Sequence, residues 1–521
     1  MWPGELLCDK KYLTTLKGQR TMGAVISKAS AARELLLLAL GLGVLGDLLL
    51  RPAPAGLGVA LWTSAFAVTA IAWRPRAATF GAVYPVFPLA VAAAFGLGFV
   101  MRDSPILQAL FGFSSLIALS AAFLDRPARA GATSHTIASI AAVMSAVLVS
   151  TLVGARARGG RVVAGSGLRV GFVGALLAAP LLLVFGTLFA AADPLFALYA
   201  SDLARNLDRV AEHLGTILAL AWLVGGVIAG LALARCPADL ALGPPRATIG
   251  SVVVVAVALV AALFAAFLAV QARAFLGGSA LIEARIGLTY AEYARQGFFQ
   301  LLACAGIALP LVLVADWAVA PGDPRRRKIL QFSGALVLMV LAVLASAARR
   351  MALYVEAYGA TEQRLYASAI MVWLTIAFVA FAVASLRGAR ERFAFHALVA
   401  GAAVVLALGL LNPSAAIVAF NASRAPESAE GFDARYATSL GADAVPALLA
   451  ALPSLPSAPR CAVARDLLTR SRSWREPDWR TFNASRSRAR ALLAVSASEL
   501  QEAAFSCSVT GPVGRTRGGP F

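Results

Sequence analysis

Charge is what this sequence has least of. Only 14% of its 521 residues are Asp, Glu, Lys or Arg, while 60% are hydrophobic. Soluble domains carry about 25% charged residues, and a globule this apolar could not cover itself with polar surface, so an ordinary soluble fold is excluded. Histidine and cysteine are scarce too, at three and five. His135, His213 and His396 stand far apart, and Cys8, Cys236, Cys304, Cys461 and Cys507 form no CxxC pair. No metal site is expected from them. There is no Walker A loop, no GxGxxG opening a helix after a strand, no HExxH and no GxSxG. These absences leave no catalytic residue and no cofactor to expect. No small-residue cleavage site follows the first apolar run, so residues 1–33 read as a basic, disordered extension and not as a signal peptide.

What is present is hydrophobic length. Mean hydropathy is +0.78, and apolar runs of about 18 residues or more recur along the chain, each enough to cross a bilayer. The runs are apolar on all faces instead of alternating, which favours helices over a barrel. The expected fold is therefore all-α, a polytopic transmembrane helix bundle of about 11–12 spans over residues 34–412. A short extramembrane helical tail follows over 413–508, and then a disordered end, 509–521. The span His135–Val153 is rich in Ser and Thr and has basic loops on both sides, so it reads as re-entrant or interfacial. Pro85, Pro88, Pro180 and Pro310 fall inside spans and are expected to kink them.

The net charge of +19 and pI of 10.6 do not point to nucleic acid, because the arginines sit in short loops between apolar runs. Arg325, Arg326, Arg327 and Lys328 form one such loop, and Arg387, Arg390 and Arg392 another. The positive-inside rule places these loops in the cytoplasm with the N-terminus, and the tail outside, in the periplasm of a bacterial inner membrane. In that compartment Cys461 and Cys507 could pair. Gly441–Leu452 and Trp479–Leu493 read as short amphipathic helices of the tail.

Two segments on the outer face carry a concentration of Tyr, Glu and Arg. One runs Gly287–Phe299 and the other Arg349–Tyr366. Together Tyr290, Glu292, Tyr293, Arg295, Arg350, Tyr354, Glu356, Tyr358, Glu362 and Arg364 suggest a polar, aromatic-lined vestibule for a small polar ligand or a lipid headgroup. The alternative is a set of interfacial anchors, since Tyr favours the membrane–water boundary. Asp47, Asp193 and Asp316 lie near span ends and read as carboxylates with access to water.

Four stretches carry a resemblance. They are Leu288–Phe299, Arg350–Tyr366, the turn Arg102-Asp103-Ser104-Pro105, and Ala442-Asp443-Ala444-Val445-Pro446 with the later Trp479-Arg480-Thr481-Phe482-Asn483-Ala484-Ser485-Arg486. They resemble a bacterial family of multi-pass membrane proteins classed as a domain of unknown function, and the similarity extends over most of the chain beyond residue 35. The resemblance implies an inner-membrane helical fold with a short tail, and it implies no activity, substrate or catalytic residue. The Lys-rich N-terminal extension departs from that pattern. The expected role is non-enzymatic, in transport or in envelope sensing or assembly, with the lipid bilayer as the one sure partner. Its rival is an integral-membrane enzyme acting on a lipid-linked or periplasmic substrate, with Glu292 or Glu356 as acid/base. Asn421-Ala422-Ser423 and Asn483-Ala484-Ser485 match glycosylation acceptors but read as chance or structural features.

Overall fold

The computed structural model describes residues 29–51, 54–73, 86–124, 126–149, 193–233, 247–276, 298–318, 323–387, 392–424, 432–473 and 478–505. Among these residues there are helices and connecting turns but no strand. The first helices in order are α1 (Ala29–Leu50), α2 (Leu57–Ala72), α3 (Val86–Gly96), α4 (Gly98–Met101), α5 (Pro105–Ala121), α6 (Ala132–Met144) and α7 (Pro194–Leu233). Next come α8 (Ala247–Leu276), α9 (Phe298–Trp317), α10 (Arg326–Tyr358), α11 (Glu362–Leu386) and α12 (Phe393–Leu411). The tail holds α13 (Pro413–Arg424), α14 (Ala434–Ser439), α15 (Val445–Ala451), α16 (Ser457–Ser473), α17 (Ala484–Val495) and α18 (Ala497–Phe505). Six of these helices are long and apolar enough to cross a membrane, α7 from Asp208 onward and α8 to α12. The expected all-α polytopic bundle is what the chain forms.

The chain divides into two compact units. One comprises residues 1–97, 115–125 and 135–237, and the other 98–114, 126–134 and 238–521. In the first unit α1 packs along α7 and against α2, and α2 packs on α3. Small residues make the approach close. A Cβ at Gly43 would stand 2.4 Å from the carbonyl of Ile217 and 3.0 Å from the Ala221 Cβ, and one at Gly46 2.7 Å from the Trp62 indole nitrogen. The helix of 40 residues, α7, rises about 60 Å. Its first turns, carrying Asp202 and Arg205 exposed to solvent, therefore extend beyond the apolar stretch. His213 thus falls midway along one continuous helix, and the apolar stretch is its second half. Pro88 sits in the first turn of α3, where no intrahelical N–H bond is lost and no kink is needed. Pro310 is inside α9 as expected. The stretch 135–153 is helical through Met144 and then adopts a π turn, Ser145–Val149. Pro85 and Pro180 lie outside the described residues.

In the second unit α10 packs against α8, α9 and α11, and α11 against α12. Their shared core is built from Phe298, Ala305, Val312, Leu336, Val340, Ala347, Phe378 and Phe381, with Phe393 joining edge-to-face on Phe381. Ala and Val on the facing rows let these helices approach closely. The tail has a separate hydrophobic core of Ile417, Val418, Val445, Leu448, Val463, Leu467, Ala489, Leu493 and Leu500. The two expected amphipathic helices form as α15 and α17, each preceded by a 3-10 turn, Ala442–Ala444 and Trp479–Thr481.

The tight α1–α7 approach gives a direct test. Gly43→Val should push the helices apart and cost about 1–3 kcal/mol, the usual range for overpacking. Gly41→Val, which meets nothing within 4 Å, should leave thermal unfolding in detergent unchanged.

Candidate functional site

The segment Arg349–Tyr366, expected outside the membrane between two spans, is almost entirely helical. The helix α10 runs on through Tyr358, and α11 begins at Glu362. Only Gly359, Ala360 and Thr361 link them. Gly359 has φ +76, a positive value that favours glycine. Thr361 caps α11 by accepting from the Arg364 amide. Asn421, on α13, holds this link through both ends of its amide. It accepts from the Ala360 N–H at 2.7 Å and donates to the Ala360 carbonyl at 2.9 Å.

Of the ten vestibule residues, Tyr290, Glu292, Tyr293 and Arg295 lie outside the described residues. The other six gather around the end of α10. Arg364 donates to the carbonyls of Tyr358 and Gly359, and its guanidinium lies 3.9 Å from the Tyr354 ring centre. Tyr354 and Tyr358 meet edge-to-face at 5.4 Å, as their spacing of one helical turn implies. Arg350 is buried and Glu356 is exposed. The Glu356 carbonyl accepts from Arg424. Glu362 is half-buried and gives its N–H to the Tyr436 hydroxyl at 2.8 Å. Burial holds that Tyr436 phenol above its usual pKa, so it remains neutral. Arg364 therefore serves the carbonyls left open at a helix end and a cation–π contact.

A denser polar cluster lies beside this link, at the break between α4 and α5, where Arg102-Asp103-Ser104 leaves helix-end groups open. The Asp443 carboxylate, from the 3-10 turn ahead of α15, accepts from the N–H groups of Asp103 and Ser104, both at 2.8 Å. It caps α5 from a position 340 residues away. Asn483 caps α17 by accepting from the Arg486 amide, and it donates to the carbonyls of Phe99 and Arg102. Ser485 donates to the Met101 carbonyl and is bonded to Asp443 Oδ1. Arg486 pairs with Asp103 at 2.6 Å. Arg102 turns the other way and donates to the carbonyls of Gly409 and Leu410 at the end of α12, at 2.6 and 3.1 Å. Asn412 follows with φ 52, closing α12 and donating to the Asp443 carbonyl. One residue further, Pro413 opens α13. The Ser104 hydroxyl stands 3.4 Å from that of Tyr366.

Asp443 and Asn483 are almost wholly buried. Burial raises the Asp443 carboxyl above the ordinary range, against the pull of its bonds to Ser485, Ser104 and Asp103 and of the Arg102 charge. The geometry tolerates a neutral acid. A protonated Oδ1 can donate to Ser485 while Oδ2 keeps both amides. Among the described residues, no group of three or more His, Cys, Asp or Glu is placed to hold a metal ion.

Residues 89–451 match the family described as domain of unknown function DUF4153. The chain belongs to that family. No curated protein and no solved structure matches it. Within this DUF4153 chain the matched stretch holds Arg102, Asp103, Ser104, Asn412, Asn421 and Asp443, while Asn483, Ser485 and Arg486 lie beyond it. Sequence reasoning singled out none of these as site residues. The available signal was that the Arg-Asp-Ser-Pro turn, the Ala-Asp-Ala-Val-Pro stretch and the Asn-Ala-Ser-Arg stretch belong to the same resemblance. Both glycosylation-like asparagines prove to be structural. Asp316 is buried with Arg326 at 3.7 Å. Asp193 caps α7 by accepting from the Leu195 amide. In the first unit Asp47 joins Arg51 at 3.1 Å and His213 Nδ1 at 2.5 Å. Cys461, in the tail core, is disulfide-bonded, and Cys507 lies outside the described residues.

Asp443→Ala leaves two amides without an acceptor and should cost about 1–3 kcal/mol of stability. Asp443→Asn keeps both, through Oδ1, and should lose less. A raised pKa means that the folded clamp holds the proton more tightly than the unfolded chain. The clamp therefore gains stability as pH falls into the carboxylate range and loses it as pH rises through the pKa of Asp443. Denaturation midpoints should show wild type gaining on the Asn variant between about pH 7 and about pH 4.

Proposed function

We propose that this protein is a non-enzymatic multi-pass protein of the bacterial inner membrane, acting in envelope sensing or assembly and carrying its tail on the periplasmic side. The observation that carries this reading is the use made of the polar groups at the tail end of the bundle. Arg364, Asp443 and Asn483 are engaged with backbone groups, and Arg486 with the Asp103 carboxylate, which is how side chains hold a presented domain in place. The exposed carboxylate of Glu356 lacks the enclosed setting that a general acid or base needs. The integral-membrane enzyme is accordingly the weaker reading.

The orientation rests on charge. The basic starts of α10, at Arg325 to Lys328, and of α12, at Arg392, lie at the opposite helix ends from Tyr358 and Leu411, which adjoin the tail. Basic ends belong in the cytoplasm. A disulfide at Cys461 favours an oxidising compartment for the tail, and Cys507 is the partner proposed for it.

Transport remains a second reading on one observation. Asp47 is buried, bonded to Arg51 and His213, on a helix packed along the span of α7. A buried acid beside an imidazole within packed membrane helices is the kind of arrangement that proton relays use.

The test is complementation of a deletion strain. Glu356→Ala should leave function intact, and Asp443→Ala combined with Arg486→Ala should abolish it while the protein still inserts. The reverse pattern would support an enzyme, and loss with Asp47→Asn alone would support proton-linked transport. Alkaline phosphatase fused after Phe505 should be active, and fused after Lys328 inactive.

A further inference from the structure

The edge of the hydrocarbon layer can be read from α12. Its 19 residues rise about 28 Å, close to the ~30 Å thickness of a bilayer core, so its last residues mark one boundary. Leu410 and Leu411 are each 71% exposed there, as expected of side chains turned to lipid. Arg102 reaches the carbonyls of Gly409 and Leu410, which places the Arg102–Pro105 turn at the same depth. Met101 and Ile106, on either side of that turn, are exposed apolar residues as well. Asn483 donates to the carbonyls of Phe99 and Arg102, so the chain immediately before Asn483 is fixed at this boundary too.

That preceding chain is aromatic and open. Trp479 is 60% exposed and Phe482 37%, and neither belongs to the tail core. Arg488, on the first turns of α17, is exposed. Two exposed rings followed six residues later by an exposed guanidinium match the headgroup zone, where the ring bodies find acyl chains, the indole N–H finds water or ester oxygens, and Arg finds phosphate.

We infer that Trp479 and Phe482 form a foot by which the tail docks on the lipid surface of the same bilayer that its helices cross. Bonds to the α4–α5 break fix the depth of the foot, and Arg488 supplies a partner for lipid phosphate. The foot holds the outer side of the tail against the membrane, while the clamp at Asp443 holds its inner side to the bundle. The inference does not rest on the proposed function or on the side of the membrane that the tail occupies.

The experiment uses the full chain in nanodiscs of phosphatidylethanolamine and phosphatidylglycerol. Subtracting the emission of Trp479→Phe from that of wild type isolates one of eight tryptophans. Because Trp479 is largely exposed, that variant should fold as wild type, with an unchanged circular dichroism melt as the check. With phospholipids dibrominated high on the acyl chain, the difference emission should lose most of its intensity. Undiminished emission would overturn the proposal in either form. A red-shifted difference spectrum would place Trp479 in water. A blue-shifted one that changes when discs carry one copy instead of two would place it against a second copy of the chain.

Discussion

A helix that stops inside or at the edge of a membrane leaves N–H and C=O groups with nowhere to go, because lipid offers no hydrogen bonds. This chain stops twice at one place, between α4 and α5 and at the end of α12, and everything around the tail answers that requirement. Carbonyls of Phe99, Met101, Arg102, Gly409 and Leu410 and amides of Asp103 and Ser104 all find partners. Five of these seven groups are served from the tail, by Asp443, Asn483 and Ser485. The other two are served by Arg102, whose guanidinium also lies 3.8 Å from Asp443. The tail is therefore part of the end of the bundle.

The same requirement explains why α10 and α11 meet through three residues. Carrying a helix past the hydrocarbon edge costs nothing in backbone hydrogen bonds, since the helix satisfies its own, whereas a long loop would need caps. Extending α10 through Arg349, Arg350 and on to Tyr358 confines the open groups to one link, where Gly359, Thr361, Arg364 and Asn421 dispose of them. Tyr354 and Tyr358 then fall one turn apart and meet edge-to-face, with Arg364 against the Tyr354 ring.

The membrane character, the all-helical class and the separate composition of the tail were legible because they depend on hydrophobic length, which a single sequence displays. Helix ends were harder to place. Charged residues such as Arg349 and Glu212 do not end helices here; α10 and α7 run through them, since a helix needs no lipid to continue. The vestibule grouped Arg364 with nearby Tyr and Glu by composition, while open carbonyls claim its guanidinium. Asp443 could not have been matched with Asp103 by spacing, because the partners are joined only when the tail folds back. Its visible trace was that the Arg-Asp-Ser-Pro, Ala-Asp-Ala-Val-Pro and Asn-Ala-Ser-Arg stretches share one resemblance. Gly43 and Gly96 each sit where a Cβ would collide, a close approach that small residues within apolar helices permit.

The central claim is that the tail completes the helix ends of the bundle in the resting protein. Hydrogen exchange at the amides of Asp103 and Ser104, followed by mass spectrometry in detergent or nanodiscs, addresses it most directly. If Asp443 caps them, both amides exchange slowly and in step with the amides of the tail core around Leu448 and Val463. Fast exchange at Asp103 and Ser104 while the tail core stays protected would contradict the account.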